Sequence, residues 1–259
     1  MIIATAMQKG GVGKTTTTLA LGSELARSGA RVLLVDLDPQ SNLTQGLGID
    51  PACLTETIYE AMIDPSLAGI ATIETDHGVN LIPATLNLAG AELSFAGMFG
   101  RELKLRAVLA PLRSIYDYIL IDSPPSLGLF TVNALVAADT VLIPLQAHVF
   151  ALQAMSQIEQ TITMVRQMNP LLDIGGILIT MVDKRTSVNG LVESAARDRY
   201  GDLVFHTTIP LNTKIVEAPA SGQPITVYAP DSMGARAYQA LATEVRERWP
   251  VCRGGHDAT

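Results

Sequence analysis

Lys9-Gly10-Gly11-Val12-Gly13-Lys14-Thr15-Thr16 follows directly on the apolar run Ile2-Ile3-Ala4-Thr5-Ala6-Met7. The run reads as a strand, the glycines as a turn, and Leu19-Ala20-Leu21 with Leu25-Ala26 as the apolar face of a helix. Such a turn aims backbone N–H groups at one point at the positive end of a helix, which is what a polyphosphate needs. Gly10, Gly11 and Gly13 let the backbone close around phosphate oxygens without Cβ clashes, and Val12 and Thr16 complete the cradle. Lys14 is placed to reach the β- and γ-phosphates, and the Thr15 hydroxyl to ligate Mg²⁺. The usual spacing, G-x-x-x-x-G-K-[ST], puts glycine at position 8, where this chain has Gln8. In its place comes a second lysine, Lys9, at the mouth of the loop. That departure is the most specific clue in the chain.

The bulk properties agree with a large α/β protein. Of 259 residues, 48% are hydrophobic and 17% charged, enough for a buried core and against global disorder. The two cysteines, Cys53 and Cys252, are too few for a disulfide framework, which points to a reducing cytoplasm. No secretory signal is expected, because Met1–Met7 lacks a basic start and runs straight into the loop. The uncharged stretch Thr140–Ile158 contains Pro144, Gln146, His148, Gln153 and Gln157, so it reads as a buried strand and a helix rather than a membrane span. A net charge of −7 shows no global basic stripe, so any nucleic-acid contact must come from a local patch or one doubled by dimerisation.

Strands are expected at Ile2–Met7, Arg31–Asp36, Asn80–Ile82, Tyr118–Asp122, Thr140–Pro144, Gly176–Met181 and Val204–Thr208. Helices are expected at Thr15–Arg27, Leu54–Met62, Leu103–Leu112, Phe150–Met168, Val188–Tyr200 and Gly234–Trp249. Val32-Leu33-Leu34-Val35 and Ile119-Leu120-Ile121 are apolar throughout, as strands buried on both faces are. The expected fold is therefore α/β, a mostly parallel twisted sheet flanked by helices on both faces. Residues 1–250 read as one domain and 251–259 as a frayed tail.

Ligands of such sheets bind beyond the carboxyl ends of the strands. Acidic residues stand at three of those ends: Asp36-Leu37-Asp38-Pro39-Gln40, Asp122-Ser123-Pro124-Pro125, and Asp183. Asp122 fits the carboxylate that holds Mg²⁺ opposite a phosphate loop. Asp36 and Asp38, two residues apart, would point to the same side of an extended backbone and face the phosphates together. One would position water, the other the metal or the loop.

These motifs carry a resemblance. Lys9–Thr16, Asp36–Gln40 and Tyr118-Ile-Leu-Ile-Asp122-Ser-Pro-Pro-Ser-Leu-Gly resemble the ParA/Soj partition ATPases, P-loop NTPases of the deviant Walker A group with MinD and the nitrogenase iron protein as relatives. The likeness continues through Ile82–Thr85, Leu88–Glu92, Leu178–Thr186, Ile209–Pro219 and Gly234–Tyr238, nearly the whole chain. It implies ATP and Mg²⁺ as cofactors and an ATP-dependent homodimer that hydrolyses ATP slowly. Lys9 would reach across a nucleotide sandwich to the partner subunit's ATP, and Lys14 would bind the phosphates in its own chain. Asp38 would orient the attacking water beside the metal, and Asp122 would lie near Mg²⁺. Pro210 and Asn212 would lie near the adenine. The implied partners are a ParB-like centromere-binding protein and nonspecific double-stranded DNA, at a cytoplasmic, nucleoid-associated location and with no membrane.

Arg185 and Lys214 match the family's DNA-contacting positions. The chain departs from its relatives there, since Pro-Arg-Asn-Val-Arg becomes Pro210-Leu211-Asn212-Thr213-Lys214 and one cation is lost. Residues 184–214 hold five basic side chains against three acidic ones, a thin patch. The loop begins at residue 9, so no helix-turn-helix is expected before it, as in short chromosomal or plasmid types. A MinD-like membrane-cycling ATPase would need a free amphipathic foot. Here Tyr238, Leu241, Ala242, Val245 and Trp249 form a core-facing stripe instead. An iron–sulfur reductase would need cluster cysteines that Cys53 and Cys252 do not supply. A metabolic ATP-dependent ligase on this fold would need a substrate pocket, and none is identifiable.

Overall fold

Apolar β-runs alternate with helical segments from the first residues, and the chain winds them into one seven-stranded sheet. The computed structural model describes residues 1–148, 151–183 and 185–251. In chain order the elements are β1 Ile2–Thr5, α1 Lys14–Arg27, β2 Val32–Asp36, α2 Asn42–Gly46, α3 Ile58–Ile63, β3 Ile73–Glu74, β4 Asn80–Ile82, α4 Leu88–Phe95 and α5 Lys104–Leu109. There follow β5 Tyr118–Asp122, α6 Leu129–Ala137, β6 Thr140–Gln146, α7 Ala151–Val165, β7 Asp173–Thr180, α8 Ser187–Tyr200, α9 Thr213–Ala220, α10 Ile225–Tyr228 and α11 Met233–Arg248.

The strand order is β3-β4-β2-β5-β1-β6-β7. All neighbours are parallel except β3, a two-residue antiparallel edge. Successive side chains on a strand point to opposite faces, so each central strand feeds two cores. Ile2 and Ala4 of β1 and Ile119 and Ile121 of β5 join the core under α3 to α8. Ile3, Leu120 and Leu34 join the core under α1, α2 and α9 to α11. The register sets Thr5 and Asp36 each opposite Asp122, so three strands end level with one another beneath the phosphate loop.

One expectation needs correction. Val204–Thr208 is not a strand: one isolated parallel bridge joins Val204 to Ile177, and a second, just beyond the segment, joins Pro210 to Val182. Phe205 lies over Gly176, where a Cβ would meet its ring, and separate backbone bonds, Phe205 N–H to the Ile177 carbonyl and Ile209 N–H to the Ile179 carbonyl, both at 2.9 Å, hold the chain there without a continuous ladder. The short edge β3 and the helices α2, α4, α6, α9 and α10 also go beyond the sequence reading. The stripe Tyr238, Leu241, Ala242 and Val245 of α11 is buried against the sheet, as expected. Among the described residues no helix is long and apolar enough to cross a membrane. Cys53 is exposed and unpaired, whereas Cys252, Phe150, Lys184 and the tail after Val251 lie outside the described residues.

α1 packs directly on β2 and β5 because Gly22 has no side chain. A Cβ there would lie 2.5 Å from Leu34 Cδ2 and 3.1 Å from Leu120 Cδ1. Gly22→Val should therefore destabilise the protein by about 1–3 kcal/mol despite the better helix former, read as a lower urea midpoint at unchanged m-value.

Candidate functional site

The phosphate loop takes its shape from glycine. Gly11 and Gly13 have φ of 70° and 93°, in the left-handed region that side chains disfavour. Gly13 caps α1, and its carbonyl accepts from Thr17 N–H at 2.9 Å. The loop is also tied down from outside. Thr180 at the end of β7 donates its hydroxyl to the Val12 carbonyl at 2.9 Å. Thr18 donates to Thr5 Oγ1 at 3.0 Å, and Ser123 donates to the Thr5 carbonyl at 2.8 Å.

The loop opens on a cleft of about 470 Å³ lined by Gly11, Gly13, Lys14, Thr15, Thr16, Met181 and, from the far wall, Asn42, Gln45, Gly46 and Pro219. A neighbouring hollow of about 240 Å³ shares Gly13, Thr16, Met181 and Pro219 and adds Pro210, Asn212, Ile215 and Tyr238. Pro210 and Asn212 thus stand beside the cleft, where a base would extend from phosphates on the loop. The Asn212 side chain also caps α9, its Oδ1 accepting from Lys214 N–H at 2.8 Å. Met181 turns the chain at φ 56°, a conformation non-glycine residues rarely hold. The two walls meet at Gly48 and Gly222, where a Cβ on Gly222 would lie 2.7 Å from the Gly48 Cα. His77 Nε2 lies 3.1 Å from the Gly222 carbonyl oxygen and holds that turn.

Lys14 is almost wholly buried, and its Nζ donates to the Lys9 carbonyl at 3.1 Å. Burial lowers its pKa, while the Asp122 and Asp38 carboxylates pull it back up. Asp122 is fully buried, and neither of its carboxylate oxygens has a formed hydrogen bond. Burial and the adjacent Asp36 push its pKa well above the carboxylate range, against the opposing pull of the Thr15 hydroxyl and Lys14. Two orphaned oxygens beside a hydroxyl suit a hard cation. Among the described residues no cluster of three or more acidic, histidine or cysteine side chains is assembled to hold a metal alone. A cation at Asp122 and Thr15 would take its remaining ligands from phosphate and water, as Mg²⁺ does. Asp38 is near enough for its charge to act on both Lys14 and Asp122. Its Oδ1 accepts from Gln40 N–H at 2.9 Å.

Asp36 does not face the phosphates with Asp38, contrary to the same-side expectation. β2 ends at Asp36 and the chain turns, so the i, i+2 rule no longer applies. Asp36 Oδ2 accepts from Thr44 N–H at 2.9 Å and from Thr44 Oγ1 at 2.7 Å, and Oδ1 accepts from Asp38 N–H at 3.2 Å. Burial lifts its pKa to about 6 against those hydrogen bonds.

The remaining cations are engaged within the chain. Lys9 Nζ donates to Gln146 Oε1 at 3.0 Å, at the end of β6. Arg185 grips Asp183 with two nitrogens at 2.8 and 2.9 Å, and that guanidinium holds the Asp183 carboxyl down at about 2. Lys214 pairs with Glu217 at 2.7 Å. Sequence reading missed Thr44, Thr180, Gln146 and Arg236, the last lining a surface depression beside Arg185. Asn42-Leu43-Thr44-Gln45, directly after the acidic motif, was the one local signal for the far wall.

A glycine loop at a helix start, a buried lysine and a metal-ready aspartate on the neighbouring strand define a P-loop nucleoside triphosphatase on a parallel sheet. The AAA domain family model matches residues 1–174. Among curated proteins, the sporulation initiation inhibitor protein Soj of Bacillus subtilis is 46% identical, covering 94% of this chain and 97% of Soj. The chromosome partitioning protein ParA of Myxococcus xanthus is 45% identical, over 95% of this chain and 88% of that protein. Among solved structures, cobyrinic acid a,c-diamide synthase from Mycobacterium smegmatis, with bound ATP analogue and magnesium, superposes with a TM-score of 0.86 at 39% identity, covering 96% and 95% of the two chains. The chain belongs to the ParA/Soj family of P-loop ATPases.

Lys14→Ala should weaken binding of a fluorescent ADP with Mg²⁺ by roughly 10–100-fold, the loss of one charge-assisted contact. Unchanged affinity in that titration would remove Lys14 from the phosphate site.

Proposed function

We propose that this protein is a partition ATPase working as an ATP-dependent dimerising switch. The observation that carries the reading is 46% identity to Soj across nearly the whole chain. Loop N–H groups and Lys14 hold the phosphates of ATP, and Asp38 orients the attacking water. Thr15 and Asp122, with Asp38 beside them, would hold Mg²⁺, which would supply charge neutralisation at the phosphate oxygens. Lys9 supports the assembly step: its ammonium is held by a single neutral partner, Gln146, in the hydrogen bond at 3.0 Å, rather than by a carboxylate. Delivered to the partner subunit's ATP, it makes charge stabilisation conditional on dimerisation, as an arginine finger does.

The ATP-bound dimer binds nonspecific duplex DNA through the face carrying Arg185 and Lys214, and hydrolysis, stimulated by a ParB-like protein, releases it. Both cations sit in exposed ion pairs, which are worth little and exchange readily for phosphate. The protein acts at the nucleoid in the cytoplasm. The second reading is a ParA-like ATPase that positions a cargo other than DNA, favoured by the net charge of −7 and the internal pairing of both cations.

Lys9→Ala should leave nucleotide affinity within about two-fold of wild type and abolish ATP-induced dimerisation in light scattering. A variant that dimerises normally removes the role in trans. Asp38→Ala should trap the ATP dimer, and turnover at the wild-type rate would refute the water-orienting assignment. With Asp38→Ala holding the ATP state, fluorescence anisotropy should show duplex DNA bound with ATP and not with ADP. Log K should fall with log salt by about 0.9 per phosphate contacted. No binding by a dimeric protein moves the weight to the second reading. ATP turnover that starts only on adding a small-molecule acid would instead indicate a ligase.

A further inference from the structure

Asp36 is completely buried at the end of β2, yet its hydrogen bonds go to Asp38 and Thr44 and not to the phosphate loop. Its two oxygens collect three donors: the Thr44 N–H, the Thr44 hydroxyl and the Asp38 N–H. Thr44 Oγ1 in turn accepts from Ala84 N–H at 3.2 Å, just beyond β4. The turn between Asp36 and Thr44 is fixed at each step. Leu37 N–H donates to the Asp122 carbonyl at 3.0 Å, and Ser41 N–H to the Asp38 carbonyl at 2.9 Å. Ser41, the residue before α2, is held at φ 55°, in the left-handed region. A non-glycine residue stays there only where its surroundings determine it.

The same short helix serves the nucleotide cleft. Asn42, Gln45 and Gly46 line the cleft, while Thr44 of that helix hangs from Asp36. One carboxylate therefore joins the wall of the nucleotide cleft to the backbone of Asp38. A buried carboxylate beside Asp122 raises the cost of ionising both groups, so a plain strand end is better served by an apolar residue. Three converging donors, one of them from the functional loop, are what a device for placing Asp38 requires.

We propose that Asp36 and Thr44 are positioning residues for ATP hydrolysis, a buried latch that sets Asp38 against the phosphates and couples it to α2. The proposal rests on Asp38 as the water-orienting carboxylate. Neither residue touches the nucleotide through this latch, so its loss falls on turnover rather than on binding.

The test compares Thr44→Val, Thr44→Ser, Asp36→Asn and Asp38→Ala in the full chain. Each is assayed for kcat and KM of phosphate release, affinity for a fluorescent ATP analogue with Mg²⁺, and thermal midpoint. Thr44→Val keeps the shape and the N–H but removes the hydroxyl, leaving Asp36 and Ala84 short of a partner. Its kcat should fall roughly ten-fold or more, the scale of a small misplacement of a catalytic group, with analogue affinity within about two-fold. Thr44→Ser, which restores the hydroxyl, should recover kcat. Should Thr44→Val not fold by circular dichroism, Asp36→Asn is read in the same way. A normal kcat in the folded latch variants, with Asp38→Ala slow, overturns the latch alone. Parallel loss of affinity, thermal midpoint and kcat without rescue by serine shows a merely structural role and also overturns it. Wild-type turnover by Asp38→Ala overturns the assignment of Asp38 on which the latch rests.

Discussion

Two carboxylates on neighbouring strands, Asp36 and Asp122, are fully buried side by side, and the Lys14 ammonium acts on Asp122. The site depends on how that charge is accommodated. Nature offers two ways to keep a buried carboxylate: hydrogen-bond it, or leave it for a cation. The chain does one at each position. Asp36 is saturated by donors from its own loop. Asp122 is left without formed hydrogen bonds, beside the Thr15 hydroxyl. Because β1, β2 and β5 end level, the satisfied carboxylate and the metal-ready one sit side by side beneath the phosphate loop. Parallel strands make that possible, since all of them present the same end to the ligand.

The phosphate loop was legible because its information is local: glycines, lysine and threonine at fixed spacing between an apolar strand and a helix. Asp122 was legible for the same reason, closing an unbroken apolar strand. The sandwich architecture followed from strands apolar on both faces, and the two cores on either side of β1 and β5 match that reading. Helix α6 was not legible, because residues Phe130 and Thr131 and then Asn133 to Ala137 are all buried and leave no periodic stripe. Asn133 alone betrays its surroundings, feeding the backbone at Leu105, Arg101 and Leu129.

Asp36 departs from the sequence expectation for a geometric reason. The same-side rule for i and i+2 holds only while the strand continues, and here the chain leaves the sheet between the two aspartates. What captures Asp36 is Thr44, eight residues on, a contact that depends on a short helix no periodicity could reveal. Lys9 stands out by its place in the loop, and Arg185 and Lys214 by the family positions they match; the partners that hold them, Gln146, Asp183 and Glu217, are visible only in the structure. Gln146 is far away in sequence and reaches Lys9 only because β6 neighbours β1.

The back-to-back glycines, Gly48 and Gly222, have a mechanical meaning. They bring the backbone after α2 against the backbone after α9, with His77 bracing the second turn. The two sides of the cleft are thereby joined at their rim like a purse closed by a single clasp. A side chain at either glycine would spread the rim and alter how fast nucleotide enters and leaves, without touching a single phosphate-binding group.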